Sequence, residues 1–407
     1  MLFRITLVVP SGISARRGGR SGRMTVGITG LGAVAGVGTD VDTVFEELSS
    51  GRDALAEMRG FDRTRYNAQR LFEIDDRPAP GADVPRRATG FLLRAVEEAL
   101  VDAGIDLDGS CPGPTGIPVL VGTGLRELRS AELWWRGEAE FRSEHLHFGT
   151  ALRRRLGTAD THTLSGACSA SLYALALGTD LIELGEAETV VVAGADVITE
   201  SMFGLTDRFQ PVPTEGLRPF DQERKGAIMG EGAAAVVLRA SDPVGAGPRA
   251  SVRSVGINCD AHHVTAPDPD GVAESIRQAH RRAAVEPSDV DMVMLHATGT
   301  PMNDKVEAES LHRVFGGSVG RPLVTGIKSM TGHTSGSAGL LGLVTAVRSL
   351  ETGVVPPITG LTTPTPEAEG IRLVSERSAT ESMSLAQVHA FGFGGVNAVA
   401  ILEVAGR

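Results

Sequence analysis

The chain has 407 residues, 42% of them hydrophobic and 22% charged, a balance that excludes a disordered polymer and leaves room for two domains or one large duplicated one. Its net charge of −11 excludes a general nucleic-acid binder, which needs lysine and arginine in excess. The three cysteines, Cys111, Cys168 and Cys259, are too few and too scattered for a disulfide framework or a metal site, and they fit a reducing cytoplasm.

Residues 1–23 open with "ITLVV", followed by Arg16, Arg17, Arg20 and Arg23. The apolar run is too short for a secretory signal and its charges are on the wrong side, so 1–23 reads as a disordered extension. Order begins with "TVGITGLGAVAGVGTD", a β-branched run entering a glycine turn. A helix is predicted over 87–104, a strand over 117–124, and a strand and sharp corner over "THTLSGA" before a helix over 169–185. Strands at 188–197 and 232–240 follow, then the linker "SDPVGAGPRAS" at 241–251. Beyond it come a helix over 272–285, a strand over 291–300, a helix over 335–353 and a strand over 397–405. Strands alternating with helices imply an α/β protein with mostly parallel sheets. No stretch approaches about 18 uncharged apolar residues, so no membrane span is expected.

Two echoes suggest an internal duplication. "GEGAAAVVLRAS" (230–241) resembles "GGVNAVAILEVA" (394–405), and "CSASLYALALG" resembles "HTSGSAGLLGLVTA". One member of each pair precedes residue 245 and the other follows it, giving an N-terminal half, 24–245, and a C-terminal half, 246–407.

Cys168 opens an apolar segment with no charge before Asp180. A helix apolar on every face is a buried helix, and Gly185 suits its C-terminal cap. Cys168 would sit at the positive end of that helix, where a thiolate is stabilised. A buried structural cysteine remains the alternative on this segment alone, and Cys111 and Cys259 read as structural. His296 ends an apolar strand and precedes a polar loop. His333 lies in a Gly/Ser-rich loop before another apolar helix, five residues after Lys328. His262, His263, His280, His312 and His389 lack such settings, although His262 and His263 could line a loop. The chain has three lysines among many arginines, Lys225, Lys305 and Lys328, and a lysine survives such skew where a compact point charge is needed. The glycines of "HAFGFGGVNAVAILE" let backbone N–H groups approach a ligand, as in an oxyanion hole.

The Cys168 of "ACSAS", the His296 of "HATGTPMND", the Lys328 and His333 of "KSMTGHTSGSAG", and "FGFGGVN" occur in this order. Together they resemble the β-ketoacyl-acyl carrier protein synthases of the thiolase superfamily, nearest to the elongating synthases of type II fatty acid and polyketide systems, over Thr25 to about Val404. The resemblance implies a duplicated thiolase fold, five-layered αβαβα with two mostly parallel mixed sheets, acting as a homodimer or as a heterodimer with a ketosynthase-like chain-length partner. It implies that Cys168 takes an acyl chain from the 4′-phosphopantetheine of an acyl carrier protein, while the N–H groups of Cys168 and Phe393 hold the oxyanion. His296 and His333 would stabilise the enolate formed when malonyl-carrier protein loses CO₂, with Lys328 keeping the region positively biased. Thr298 and Thr300 match pantetheine-binding hydroxyls, and Phe393 a gating aromatic. Glu307, Glu309 and Asn397 are candidate supports, Arg208 is a candidate carrier-protein contact, and no bound cofactor or metal is implied.

The chain departs from the family pattern at Ala297, where glycine is usual, at Val396, where threonine is usual, and at Gly342, where some members carry a glutamate for the lysine. Glu307 or Glu309 would then serve Lys328. These changes suit a specialised biosynthetic enzyme. Two other readings are a non-catalytic chain-length partner, which usually lacks the cysteine, and an acyltransferase without decarboxylation, which usually lacks one histidine.

Overall fold

The computed structural model describes residues 25–77, 79, 81–107, 115–210, 212–240 and 247–405. The 1–23 extension, Cys111 and most of the predicted linker, 241–246, lie outside the described residues.

The strands are β1 (Val26–Ala35), β2 (Ala56–Glu57), β3 (Arg70–Leu71), β4 (Val119–Thr123), β5 (Thr161–Ser165), β6 (Thr189–Asp196) and β7 (Gly232–Ala240). They continue with β8 (Ala250–Cys259), β9 (Met292–Met294), β10 (Leu323–Thr325), β11 (Val354–Val355), β12 (Ala379–Thr380), β13 (Leu385–Gly392) and β14 (Val396–Val404). The helices are α1 (Val41–Ser50), α2 (Arg87–Asp102), α3 (Leu128–Trp135), α4 (Gly149–Leu156), α5 (Ala170–Glu183) and α6 (Glu200–Phe209). After them come α7 (Pro269–Ala283), α8 (Pro301–Phe315), α9 (Lys328–Thr331) and α10 (Ala338–Thr352).

Among the described residues, ten strands form one sheet in the order β10-β9-β13-β14-β8-β1-β7-β6-β4-β5. Five come from each side of the predicted linker. Counted within its own set, each runs first, fifth, fourth, second, third from the middle outwards. The two sets join where β1 pairs antiparallel with β8 over Val26–Ile28. Pairing is parallel towards both edges, β4 with β5 and β6, and β9 with β10 and β13. It is antiparallel across the centre. The expected mixed α/β class is present, with more antiparallel pairing than the helix–strand alternation suggested. Part of the reason is local: the tight turn 393–395 folds β14 straight back on β13 as a hairpin, whereas a parallel return needs a crossover.

Side-chain alternation builds the layers. On β7, Ala234, Val236 and Leu238 face a core shared with the buried helices α5 and α10. Ala233, Ala235 and Val237 face α2 and α4. On β14, Ala398, Ala400 and Leu402 face that same central core, and Val399 and Ile401 face α7 and α8. Strands covered on both faces read as continuous apolar runs, which is why these two were so visible in the sequence. The layers run α2/α4, strands, α5/α10, strands, α7/α8, and α5 and α10 are the two apolar helices predicted on either side of the linker.

One predicted loop is a helix. The polar stretch after His296 forms α8, with Pro301 in its first turn and the Thr300 hydroxyl accepting from the Asn303 N–H at 3.3 Å. Its buried face carries Asn303, Asp304, Glu307 and Ser310 beside Ala308 and Leu311, so the apolar periodicity that marks a helix is broken by buried polar groups.

A buried ion network ties α2 to the sheet. Glu231 is fully buried just before β7 and accepts from Arg87 Nη1 at 2.6 Å, Arg87 Nη2 at 2.7 Å, Arg77 Nη2 at 3.2 Å and the Ile74 N–H at 3.0 Å. Removing one partner of such a set leaves the other charges buried without compensation. Glu231→Leu is expected to lose about 3–5 kcal/mol of stability, measured by urea unfolding; a loss below about 1 kcal/mol would show that the network is dispensable.

Candidate active site

β5 ends at Ser165 and α5 begins at Ala170, and between them Cys168 sits in a single 3₁₀ turn, Ala167–Ser169. The corner is sharp because Ala167 is held at φ +49°, a region an alanine adopts only when its surroundings enforce it. The Ser169 hydroxyl lies 2.8 Å from Val396 O and 3.1 Å from Gly166 O, fastening the turn to the start of β14. Gly392 makes the approach feasible: a Cβ there would lie 3.2 Å from both the Ala167 Cβ and the Cys168 N.

His333 follows α9 and Gly332. Its N–H donates to Ile228 O at 2.8 Å and its carbonyl accepts from Gly230 N at 3.0 Å, so the loop is anchored to the segment that leads into β7. Its Nε2 lies 3.1 Å from Cys168 Sγ, although the two residues are 165 positions apart. His296, just beyond β9, presents its ring edge-on to His333 with centroids 5.4 Å apart. The coordinating atoms of Cys168, His296 and His333 lie within 4.8 Å of one another.

Lys328 is buried against this group. Its ammonium donates to the His296 carbonyl and lies 3.4 Å from His296 Nδ1. A donor at Nδ1 fixes the tautomer of His296 with its proton on Nε2. Burial, and then the Lys328 charge, push His333 down to about 3, and the same causes hold His296 well below the usual imidazole range. Both rings are neutral near pH 7 and can donate N–H hydrogen bonds. Burial lowers Lys328 itself to about 8, opposed chiefly by the Glu307 carboxylate. The Cys–His–His spacing also suits a metal ion, but the ammonium at His296 Nδ1 repels a cation there.

The expectation that the helix end favours a thiolate needs correction. Cys168 is half-buried, yet the protein packed around the sulfur leaves it so little water that its thiol rises to about 11. Lys328 and the N–H groups of Phe393 and of Cys168 itself pull the other way without overcoming that loss. The resting group is a thiol with an imidazole nitrogen in reach.

The remaining predicted residues divide. Glu307 is buried and accepts from His296 N at 2.6 Å and Ala297 N at 2.8 Å, so it fixes the turn that carries His296. That turn holds Ala297 at φ +46°, a left-handed conformation at the position where glycine was expected. Glu309 does not enter the site; it faces Lys305 across 3.9 Å at the surface. Two residues, about 200° around the axis of α8, separate buried Glu307 from Glu309 on the surface face, and only the fold distinguishes the two acids. Thr298 and Thr300 share a hydrogen bond of 2.9 Å. Asn397 donates to Asn258 Oδ1 at 2.9 Å and Asp260 Oδ2 at 2.8 Å, bracing the outer loop rather than the cysteine. Phe393 is 52% exposed at the tip of the glycine turn. Gly342 faces Met294, and a Cβ there would meet the Met294 Cγ at 3.2 Å. Arg208 lines a separate groove of about 920 Å³ with Arg65, Arg136, Trp134 and Trp135, away from the three clustered side chains. His262 and His263 are exposed on a loop whose Val264 O accepts from Gly394 N at 2.8 Å.

The sequence reading missed Asp196, buried at the end of β6. It accepts from Thr123 Oγ1 and Leu125 N at 2.7 Å, Gly336 N at 2.8 Å and Gly124 N at 2.9 Å. It thereby joins the turn after β4 to the loop carrying His333, and burial raises it to about 6. A lone acid closing the apolar run "VVVAGAD" was the available signal. His280 and His389, which have no distinguishing setting in the sequence, are both buried and hydrogen-bonded.

Comparison with known proteins gives a consistent picture. The family model described as Beta-ketoacyl synthase, N-terminal domain, matches residues 24–243, and that described as Beta-ketoacyl synthase, C-terminal domain, matches 249–362. The chain is 30% identical to the actinorhodin polyketide putative beta-ketoacyl synthase 1 of Streptomyces coelicolor, over 92% of this chain and 88% of that one. It is 28% identical to nodulation protein E of Rhizobium leguminosarum bv. trifolii, over 91% and 97%. Among solved structures, the ishigamide ketosynthase/chain length factor superposes with a TM-score of 0.84 at 30% identity, covering 95% of this chain and 100% of that one.

The thiol near 11 and the buried ammonium near 8 generate a test. Alkylation of Cys168 by iodoacetamide, read by peptide mass spectrometry, is expected to keep rising about tenfold per pH unit through pH 9–10, where an ordinary thiol with a pKa near 8.5 levels off. Lys328→Met should label more slowly below about pH 8, where Lys328 is charged and favours the thiolate, and the two proteins should converge above it. A plateau below pH 8 in the unaltered protein would contradict this account of the sulfur.

Proposed function

Because the chain belongs to the β-ketoacyl synthase family, whose catalytic members are acyl-transferring condensing enzymes, we propose that it is an active elongating synthase. It would join an acyl group held on Cys168 to malonyl-acyl carrier protein by decarboxylative Claisen condensation, in a type II polyketide or specialised fatty acid pathway. The observation that carries this reading is the 3.1 Å approach of His333 Nε2 to Cys168 Sγ beside a second neutral imidazole. A non-catalytic partner would have no use for a thiol in that position.

The thiol adds to the acyl thioester carbonyl while its proton passes to His333 Nε2. The N–H groups of Cys168 and Phe393, which already reach the sulfur, hold the oxyanion. Collapse expels the pantetheine thiolate, which takes the proton back from His333. Malonyl-carrier protein then enters, with Thr298 and Thr300 at the pantetheine. The Nε2–H of His296 and that of His333, once the His333 proton has shifted from Nδ1 to Nε2, hold the thioester oxygen as CO₂ leaves, stabilising the enolate. Its carbon attacks acyl-Cys168, the β-ketoacyl chain departs on the carrier protein, and the released sulfur takes up a proton. Lys328 helps keep both imidazoles neutral, which leaves His333 Nε2 able to accept the thiol proton.

In this reading the chain divides near residue 245 into a half carrying Cys168 and a half carrying the two histidines. The acyl carrier protein is the partner in solution, with Arg208 as a contact. The likeness to a ketosynthase/chain length factor supports a dimer, either with a second copy or with a ketosynthase-like chain-length subunit.

The protein incubated with an acyl donor and malonyl-carrier protein is expected to yield an acyl adduct on Cys168 and a β-ketoacyl product by mass spectrometry. Cys168→Ala should abolish the adduct, and Cys168→Gln should retain CO₂ release from malonyl-carrier protein. An adduct without CO₂ release would favour simple acyl transfer, and no adduct would favour a non-catalytic partner.

A further inference from the structure

Behind the candidate site, a line of buried polar side chains crosses from α7 through β13 to α8. His280 Nε2 lies 2.5 Å from Gln387 Oε1, Gln387 Nε2 lies 2.6 Å from His389 Nε2, and His389 Nδ1 lies 2.9 Å from Glu307 Oε1. All four residues are at most 5% exposed. With the Gln387 amide nitrogen turned towards His389, the donors follow: that nitrogen can only donate, so His389 accepts at Nε2 and carries its proton on Nδ1, aimed at the carboxylate. His280, held below the usual imidazole range chiefly by burial, then donates from Nε2 to the amide oxygen.

The line ends on the group that shapes the site. Glu307 also accepts from the backbone N–H groups of His296 and Ala297 and from Asn303 Nδ2 at 3.3 Å. Its carboxylate is the main charge that favours the protonated form of Lys328. The His389 ring further packs on Phe391 at 5.1 Å, and Phe391 meets the His296 ring at 5.8 Å. Gln387 and His389 occupy alternate positions on the strand face that also carries Leu385 and Phe391, where apolar side chains would fill the space without needing partners.

We propose that His389, held in one tautomer by Gln387 and His280, is a positioning residue: it orients the Glu307 carboxylate, and through it the backbone turn that carries His296. The proposal rests on the reading of His296 as an enolate-stabilising donor. It places the effect on decarboxylation rather than on acyl loading, because His333 and Cys168 are anchored to other segments.

The test separates the two half-reactions. His389→Phe keeps a ring and removes the Nδ1–H. Decarboxylation of malonyl-carrier protein by this variant should fall by roughly 10- to 100-fold, the usual effect of losing an outer partner of a site. Acylation of Cys168 should change by less than about threefold, which is under 1 kcal/mol. His389→Asn, which retains an N–H near the Nδ1 position, should recover most of the decarboxylation. Where His389→Phe does not fold, Gln387→Leu, which frees the His389 tautomer, should show the same one-sided loss. Equal losses in both half-reactions, or no loss in a folded variant, would overturn the proposal. Long-range ¹H–¹⁵N spectra of the histidine rings keep it independent of turnover. They should show His389 protonated at Nδ1, and His296 signals displaced in His389→Phe. If the unaltered protein neither loads acyl groups nor releases CO₂, the proposed function fails, while the ring spectra still decide whether His389 orients His296.

Discussion

A single ammonium, enclosed in protein, sets the chemistry of everything around it. Lys328 engages both the carbonyl and Nδ1 of His296. Its charge helps keep both imidazoles neutral and opposes the upward drift of the Cys168 thiol. An ammonium so placed needs an answering carboxylate, and Glu307 supplies it through space. An arginine would spread its charge over a planar fork and could not serve as this point charge, which accounts for a lysine here in a chain that otherwise favours arginine.

The site exists only because two similar sets of strands meet. Cys168 comes from the turn before α5 in one set, and His296 and His333 come from turns in the other. Short polar clasps hold the turns in register. Ser169 binds the Val396 carbonyl, and Asp196 gathers the backbone at Gly124, Leu125 and Gly336. The backbone conformations at Ala167, Ala297 and Ser335 are left-handed without glycine. Such positions persist only where surrounding contacts over-determine them, and here they flank the three clustered side chains.

Helices α2, α5, α7 and α10 and the doubly covered strands were visible in the letters, because apolar periodicity follows directly from burial. α8 was not, since its inner face is polar and binds the His296 turn. Glu307 and Glu309 looked equivalent two residues apart, yet one is buried beneath the site and the other pairs with Lys305 at the surface. Gln387 and His389 left a faint trace, two polar residues spaced by two within an apolar strand.

The sequence alone determined the family resemblance, the run of strands and helices, and which cysteine, histidines and lysine to consider, because motifs and periodicity are local properties. Tertiary structure alone decided that His333 reaches Cys168 across 165 positions, that the sulfur rests as a thiol, and that His280 and His389 back the His296 turn. Each of these depends on how much water and how many charges surround a group once distant segments pack together, and no stretch of neighbouring residues contains that information.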